Sequence, residues 1–298
     1  MSDSVPDNFL GLPLPDCDYK SAKFAVLPIP YDATTSFAVG TREGPRCIIT
    51  ASQQVELYDE ELGRECIAAG CATLDAVQPD VRGPKEQLDR IFKAAKQPIT
   101  DGKFLISLGG EHSISSALVK AVMTRHKELS VLQIDAHADL RDSYQGSPWS
   151  HACVMRRIHE LGADAVAVGI RNYSAGEARF IKQAGKKIVG ARQCRESKTW
   201  IDEVVAALGP EVYVTIDIDG FDPAYAPGTG TPEPGGLDWY QVADLLAAVA
   251  RARKIVSADV VEVRPLPPGH VTEFLAAKLI YRVMGLVTGR GRRVASSE

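Results

Sequence analysis

The chain has 298 residues, of which 45% are hydrophobic and 24% are charged, and its net charge is -4. This composition supports a sizeable hydrophobic core, and the slightly acidic balance argues against general electrostatic binding of nucleic acid. No apolar stretch is long enough to span a membrane, and the acidic, proline-rich start lacks the features of a signal peptide. We therefore expect a soluble, cytoplasmic protein without nucleic-acid or membrane partners.

Strand-like apolar runs alternate with amphipathic helical runs from about residue 23 to residue 288. This alternation predicts a parallel sheet covered by helices. The predicted strands are residues 23–29, 103–109, 130–135, 164–170, 186–190, 212–219 and 255–263. The predicted helices include residues 84–96, 113–127, 198–209, 237–252 and 273–287. No linker divides the chain, so we predict one domain over 1–298, with an N-terminal extension (1–22) and a C-terminal tail (289–298).

Six cysteines are scattered along the chain without a Cys-x-x-Cys pair. This spacing argues against a zinc site built from thiolates. The sequence instead predicts reduced thiols, at Cys17, Cys47, Cys66, Cys71, Cys153 and Cys194.

Polar side chains follow three of the predicted strands, where ligands of an open parallel sheet gather. Together they are five carboxylates and two histidines, namely Glu111, His112, Asp135, His137, Asp139, Asp217 and Asp219. For any one segment, a helix-capping Asp or a hydrogen-bonded core His would be the ordinary interpretation. Three such segments together favour a metal site.

The segment "IDAHADL" (134–140) indicates the chemistry most directly. On a strand, Asp135, His137 and Asp139 would share one face, where unpaired carboxylates repel unless a cation binds. Oxygen ligands with a minority of imidazole and no thiolate favour manganese, magnesium or nickel over structural zinc. Enough carboxylates are present for two divalent ions with shared ligands, a site typical of hydrolysis.

Five segments of the chain resemble the ureohydrolase family of arginases and agmatinases. They are "YDATTSFAVGTREGPRCI" (31–48), "GGEHS" (109–113), "DAHAD" (135–139), "TIDIDGFDPAYAPGTGTPEPGG" (215–236) and "DVVEVRP" (259–265). The resemblance implies a three-layer α/β fold with a mostly parallel central sheet and helices on both faces. It also implies cleavage of a guanidino group to urea and an amine, and a homotrimer or homohexamer.

The resemblance further implies two Mn²⁺ ions per subunit, with Ni²⁺ or Co²⁺ as possible alternatives. One ion would be held by His112, Asp135, Asp139 and Asp217, and the other by His137, Asp135, Asp217 and Asp219. Asp135 and Asp217 would bridge the ions, and a hydroxide between them would be the nucleophile. Glu111 is not a ligand in this scheme, so we expect it to matter little.

Two more residues match catalytic roles of the family. His151 would transfer protons between the site and solvent, and an imidazole titrating near neutrality suits that role. The alternative is that His151 caps a helix starting near Ser150. Glu262 follows a β-branched run and would bind the guanidinium of the substrate, whose fork of N–H groups matches a carboxylate. Its alternative is a salt bridge to Arg264.

The substrate prediction rests on two departures from the arginase pattern. Residues 140–150 lack the arginase-type Ser/Asn segment, and Ser174 occupies the position of an acid that would meet an α-amino group. We therefore expect agmatine, cleaved to putrescine and urea as in polyamine biosynthesis. Aminopropylagmatine or guanidinobutyrate is the second candidate substrate, and arginine is the third. Two alternatives of other classes are a metal-dependent phosphoesterase, whose nearby cations would be Arg141 and Arg171, and an inactive scaffold.

Overall fold

A computed structural model describes residues 5–289 of the chain. Its strands, in chain order, are β1 (Phe24–Ile29), β2 (Tyr58–Asp59), β3 (Arg64–Glu65), β4 (Cys71–Thr73), β5 (Phe104–Gly109), β6 (Leu129–Ile134), β7 (Asp164–Ile170), β8 (Lys187–Gly190), β9 (Glu211–Asp217) and β10 (Lys254–Val261). The ends of the predicted N-terminal extension and C-terminal tail, 1–4 and 290–298, lie outside the described residues.

The α-helices of the described residues are α1 (Gly44–Ser52), α2 (Pro84–Thr100), α3 (Ser115–Val122), α4 (Val154–Glu160), α5 (Ala175–Gln183), α6 (Ala191–Glu196), α7 (Trp200–Ala207), α8 (Trp239–Ala252) and α9 (Val271–Thr288). All five predicted helices are present, although α2 continues through Pro98 and α3 ends five residues before its predicted end at residue 127. The sequence analysis did not give bounds for α1, α4, α5 and α6, which are short.

Eight strands form one sheet in the order β4-β1-β5-β10-β9-β6-β7-β8, and every neighbouring pair is parallel. The seven predicted strands are confirmed to within two residues at each end. The missed strand is β4, a three-residue edge strand. β2 and β3 form a separate antiparallel pair.

Both faces of the sheet are covered, because alternate residues of each strand point to opposite sides. On one side, Val26 and Ile106 pack in a core that also contains residues of α1, α8 and α9. On the other side, Leu27 and Leu105 pack against residues of α2 and α3. The predicted three-layer α/β fold is confirmed. Within residues 5–289, no helix has the length and apolar character needed to cross a membrane.

The sheet order determines where the polar segments meet. β5, β10, β9 and β6 are the four central strands, and their parallel direction places their carboxyl ends at one edge. These ends carry, in spatial order, His112, Glu262, Asp217 with Asp219, and Asp135 with His137 and Asp139. Segments distant in the sequence therefore converge at one place, as expected for ligand sites of parallel sheets.

A buried ion pair attaches α9 to the small β2–β3 unit. Arg282 donates from Nε to Asp59 at 2.6 Å, and the two side chains are 3% and 0% exposed.

We expect Arg282→Met to lower the free energy of unfolding by ~3–5 kcal/mol, because it leaves Asp59 as an uncompensated buried charge. Arg46→Met is the matched control, since Arg46 pairs with Asp7 in solvent, and exposed pairs contribute about 0–1 kcal/mol. Urea unfolding of both variants measures the difference, and equal effects would contradict it.

Candidate metal centre

The six predicted ligands converge at the carboxyl ends of β5, β6 and β9, where they are His112, Asp135, His137, Asp139, Asp217 and Asp219. Five of them are buried, and His137 has a side chain that is 23% exposed. The geometry therefore brings every predicted ligand into one cluster.

His112 is surrounded by carboxylates on one side of its ring. Its Nδ1 lies 3.2 Å from an oxygen of Asp135, 3.4 Å from Asp139 and 3.3 Å from Asp217. Within residues 5–289, this buried nitrogen has no hydrogen-bond partner. Burial lowers the pKa of His112, but the three carboxylates outweigh that effect and raise its pKa well above the ordinary value. The position therefore strongly favours a positive charge.

The other ring nitrogen of His112 determines what Nδ1 can do. Nε2 lies 2.8 Å from Oγ1 of Thr215, and that hydroxyl donates to Asp259 at 2.6 Å. Because the Thr215 hydrogen is used toward Asp259, its oxygen accepts the hydrogen of His112 Nε2. Nδ1 then carries either the proton that the raised pKa favours or, in the neutral ring, a lone pair. The second form fits a metal ligand oriented by its outer hydrogen bond.

Two triplets of ligand atoms lie close enough to hold an ion each. One is His112, Asp135 and Asp139, the other is Asp135, His137 and Asp219, and the atoms of each triplet lie within 4.8 Å of one another. Asp135 belongs to both, as a bridging ligand would. Asp217 is outside these triplets, although it contacts His112 and accepts a hydrogen bond from the Asp219 N–H at 3.0 Å.

The strand geometry predicted for "IDAHADL" is wrong, although its side chains do converge. β6 ends at Ile134, and the backbone of Asp139 has a φ of 50°, in the left-handed region, so the chain turns there. Local hydrogen bonds hold the loop instead. Gln133 donates to Asp135 at 2.8 Å, and the His137 N–H donates to Asp135 at 2.6 Å.

Glu262 lies at the end of β10 beside the cluster, and only 7% of it is exposed. One carboxylate oxygen accepts the backbone N–H of His112 at 2.7 Å. Arg264, proposed above as a salt-bridge partner, donates instead to the carbonyl of Val39 at 2.9 Å. Burial, together with the charge of Glu111, raises the pKa of Glu262 well above its ordinary value. An acid in this setting gains most from a cationic ligand.

His151 begins a short 3₁₀ turn, His151–Cys153, and packs edge-on against Tyr144 with ring centroids 6.0 Å apart. Its backbone N–H donates to Oγ1 of Thr34 at 3.0 Å. Burial lowers the pKa of His151 to about 4, and positive charge at His112 and His137 acts in the same direction. This differs from the expected titration near neutrality, so the imidazole is neutral at pH 7.

A cavity of about 190 Å³ connects these residues; both His151 and Glu262 line it beside the cluster. Arg141 and Tyr173 also line it and are partly exposed to solvent. The volume is suited to a small ligand.

The acid that lines this cavity near α5 is Glu177, which sequence reasoning missed. Ser174 caps α5, and Glu177 accepts hydrogen bonds from the Ser174 N–H at 2.8 Å and the Leu140 N–H at 3.0 Å. Both residues are therefore part of a capping box that holds the loop after β6. Comparing Ser174 with the acid expected at its position did not indicate that Glu177 binds Ser174.

Thr215, Asp259 and Gln133 are the other residues that sequence reasoning missed. Each is a buried polar residue within a strand that is mostly apolar, and Asp259 also accepts a hydrogen bond from Tyr213. A polar side chain in the middle of a predicted buried strand was the available signal.

Comparison with known proteins agrees with this geometry. The arginase family model matches residues 22–285. The N(1)-aminopropylagmatine ureohydrolase of Synechocystis sp. is 39% identical over 274 residues, covering 90% of each chain. The agmatinase of Pyrococcus horikoshii is 38% identical, covering 92% of this chain and 95% of its own. The solved agmatine ureohydrolase of Thermoplasma volcanium has a TM-score of 0.85 and 32% identity, covering 95% of this chain and 94% of that chain. The chain belongs to the arginase family.

Proposed function

We propose that the protein is a ureohydrolase that cleaves a guanidino compound to urea and an amine, with agmatine as the preferred substrate and putrescine as its product. The relatives named agmatinase or N(1)-aminopropylagmatine ureohydrolase support this reaction. The observation that carries the proposal is the pair of overlapping ligand triplets beside Glu262, a buried acid without a cationic partner in the described part of the chain.

The donor set fits two divalent ions, which we propose to be manganese. The ligands would be His112, Asp135, His137, Asp139, Asp217 and Asp219, with Asp135 and Asp217 shared. When bound, such a pair lowers the pKa of a trapped water toward neutrality and so supplies a nucleophile for hydrolysis. Thr215 orients His112, and Gln133 orients Asp135, so these ligands are held before an ion arrives.

Glu262 and His151 would act on the substrate directly. One oxygen of Glu262 accepts the His112 N–H. The other oxygen lies on the side of Gly230, which lines the cavity, at 3.9 Å from the position that a Cβ on this glycine would take. That second oxygen is available for a guanidinium N–H. His151 is neutral and weakly basic, so a proton that it accepts passes readily to the more basic leaving amine.

The alternatives from other classes are less well supported. A phosphoesterase needs free cations near the metals, but Nε of Arg141 lies 3.7 Å from the buried carboxylate of Glu177. Arg171 donates to the backbone carbonyls of Asp219 at 2.7 Å and Glu233 at 2.6 Å. An inactive scaffold would be expected to lack ligands, and all six are present. Aminopropylagmatine and guanidinobutyrate remain the next candidate substrates, ahead of arginine.

The rest of the proposal concerns the whole protein. We infer one domain, since the described residues pack on both faces of one sheet. A homotrimer or homohexamer and a cytoplasmic location stay predictions from the sequence.

The direct test of function is to incubate the purified protein with manganese and agmatine and to measure urea. Hydrolysis of an aryl phosphate without urea release would favour the phosphoesterase.

We expect Asp135→Asn to lower the metal content at both positions and to reduce urea release by on the order of a hundredfold or more, because a neutral amide cannot bridge two dications. Asp142→Asn is the control, since Asp142 follows the same segment but has a side chain that is 76% exposed and pairs with Arg157. Elemental analysis and urea assays measure both effects. Normal metal content and turnover in the Asp135 variant would contradict the assignment of two ions.

We expect Glu262→Gln to retain both ions but to lower kcat/KM by about 10–100-fold, because a charged hydrogen bond to the guanidinium becomes a neutral one. Glu196→Gln, on an exposed pair with Arg192, is the control for loss of a glutamate charge. Steady-state kinetics with parallel metal analysis separates substrate binding from metal binding. Unchanged kcat/KM would assign Glu262 a structural role only.

We expect agmatine to exceed arginine in kcat/KM by at least about a hundredfold, because an unpaired α-carboxylate costs several kcal/mol on burial and each ~1.4 kcal/mol is a factor of ten. Glu177 is committed to the capping box with Ser174, which leaves it poorly placed to select an α-amino group. Kinetics on agmatine, arginine, guanidinobutyrate and aminopropylagmatine provide the comparison. A preference for arginine would overturn the substrate assignment but not the metal centre.

A further inference from the structure

Glu111, which was expected to matter little, is fully buried next to His112 and accepts three hydrogen bonds. The backbone N–H of Thr34 donates to one carboxylate oxygen at 2.5 Å. The hydroxyls of Thr34 and Ser113 donate to the other oxygen at 2.6 Å and 2.5 Å. A buried carboxylate with three donors is a strongly held group, and two of these donors come from the loop that follows β1.

Thr34 connects this carboxylate to His151. A threonine hydroxyl has one hydrogen, and the hydrogen of Thr34 is directed at Glu111. Its oxygen can therefore only accept hydrogen bonds from other neighbours. The backbone N–H of His151 donates to it at 3.0 Å, and the ring Nδ1 of His151 lies 3.4 Å away.

The direction of these hydrogen bonds bears on the ring of His151. An oxygen that only accepts favours the neutral form of His151 that carries its hydrogen on Nδ1. The hydroxyl of Ser150 lies equally far from Nδ1, at 3.4 Å, and can rotate to accept as well. The lone pair of this form is then on Nε2, while the ring itself lines the cavity.

We propose that Glu111 is a positioning residue for His151 and acts through the hydroxyl of Thr34. Glu111 keeps the Thr34 oxygen an acceptor, holds the backbone at the start of the 3₁₀ turn, and leaves Nε2 of His151 for proton transfer. This inference rests on the proposed function, because it takes His151 to be the group that transfers protons.

The sharpest test is a double-mutant cycle with His151. Thr34→Val removes the hydroxyl at nearly constant volume but retains the backbone N–H that binds Glu111. We expect Thr34→Val and Glu111→Gln each to lower kcat about tenfold or more, with KM and metal content close to wild type. Thr34→Ser should keep most of the activity. In a His151→Asn background, the same two substitutions should change kcat by less than about twofold, because residues acting through one group are not additive.

Ser257→Ala is the control for loss of a buried hydroxyl. Ser257 is 2% exposed, lies toward the amino end of β10 and donates to the carbonyl of Leu105 at 2.6 Å. This variant should lose stability without losing kcat. Full additivity of Thr34→Val with His151→Asn, an unchanged kcat in Thr34→Val, or loss of metal in that variant would each overturn the proposal.

Wild-type urea release is measured first, so that failure of the proposed function is recognised separately. Crystal structures of the manganese-bound wild type and of Thr34→Val and Glu111→Gln then give a readout that does not depend on turnover. A rotated or displaced ring of His151 in both variants supports the proposal. A ring in the wild-type position, with Nδ1 facing the same neighbours, overturns it whether or not urea is released.

Discussion

Three carboxylates lie within 3.4 Å of Nδ1 of His112, and all of these groups are buried. Four ligand atoms therefore meet among buried side chains, where positive charge, from a proton or a bound cation, relieves their repulsion. Hydrogen bonds around the cluster fix the orientation of the His112 ring. Because Thr215 takes the hydrogen of Nε2 and itself donates to Asp259, Nδ1 of His112 faces the carboxylates and can hold either a proton or a metal ion.

Two residues of this arrangement have strained backbone conformations. Asp139 and Glu262 both have positive φ, at 50° and 61°, and such conformations cost about 1–3 kcal/mol each in residues other than glycine. Close backbone packing also contributes. A Cβ on Gly110 would stand 2.1 Å from the carbonyl oxygen of Tyr31, so only glycine lets the loop after β1 approach the end of β5. That approach allows Thr34 to reach Glu111.

Some charged groups near the cavity already have partners and others do not, and this difference supports the proposed substrate. Nε of Arg141 lies 3.7 Å from Glu177, whose carboxylate also accepts hydrogen bonds in the cap of α5. Arg171, outside the cavity lining, donates to backbone carbonyls. Glu262 accepts a hydrogen bond from a backbone N–H with one oxygen and has no cationic partner among the residues that the structure describes. The cavity therefore offers an uncompensated buried acid beside a site for divalent ions, which suits a planar cation better than an anion.

The sequence by itself determined the seven longer strands of the sheet, the six candidate ligands that converge and the resemblance to ureohydrolases, because burial patterns and the residues that follow strands are local features. It did not determine the loop geometry of Asp139, the lowered pKa of His151 or the contacts of Glu111. Thr34 and Glu111 are 77 positions apart, and Thr34 and His151 are 117 positions apart. Tertiary structure decided these properties, since hydrogen bonds between distant segments and the burial of individual side chains depend on how the loops pack, which periodicity does not record.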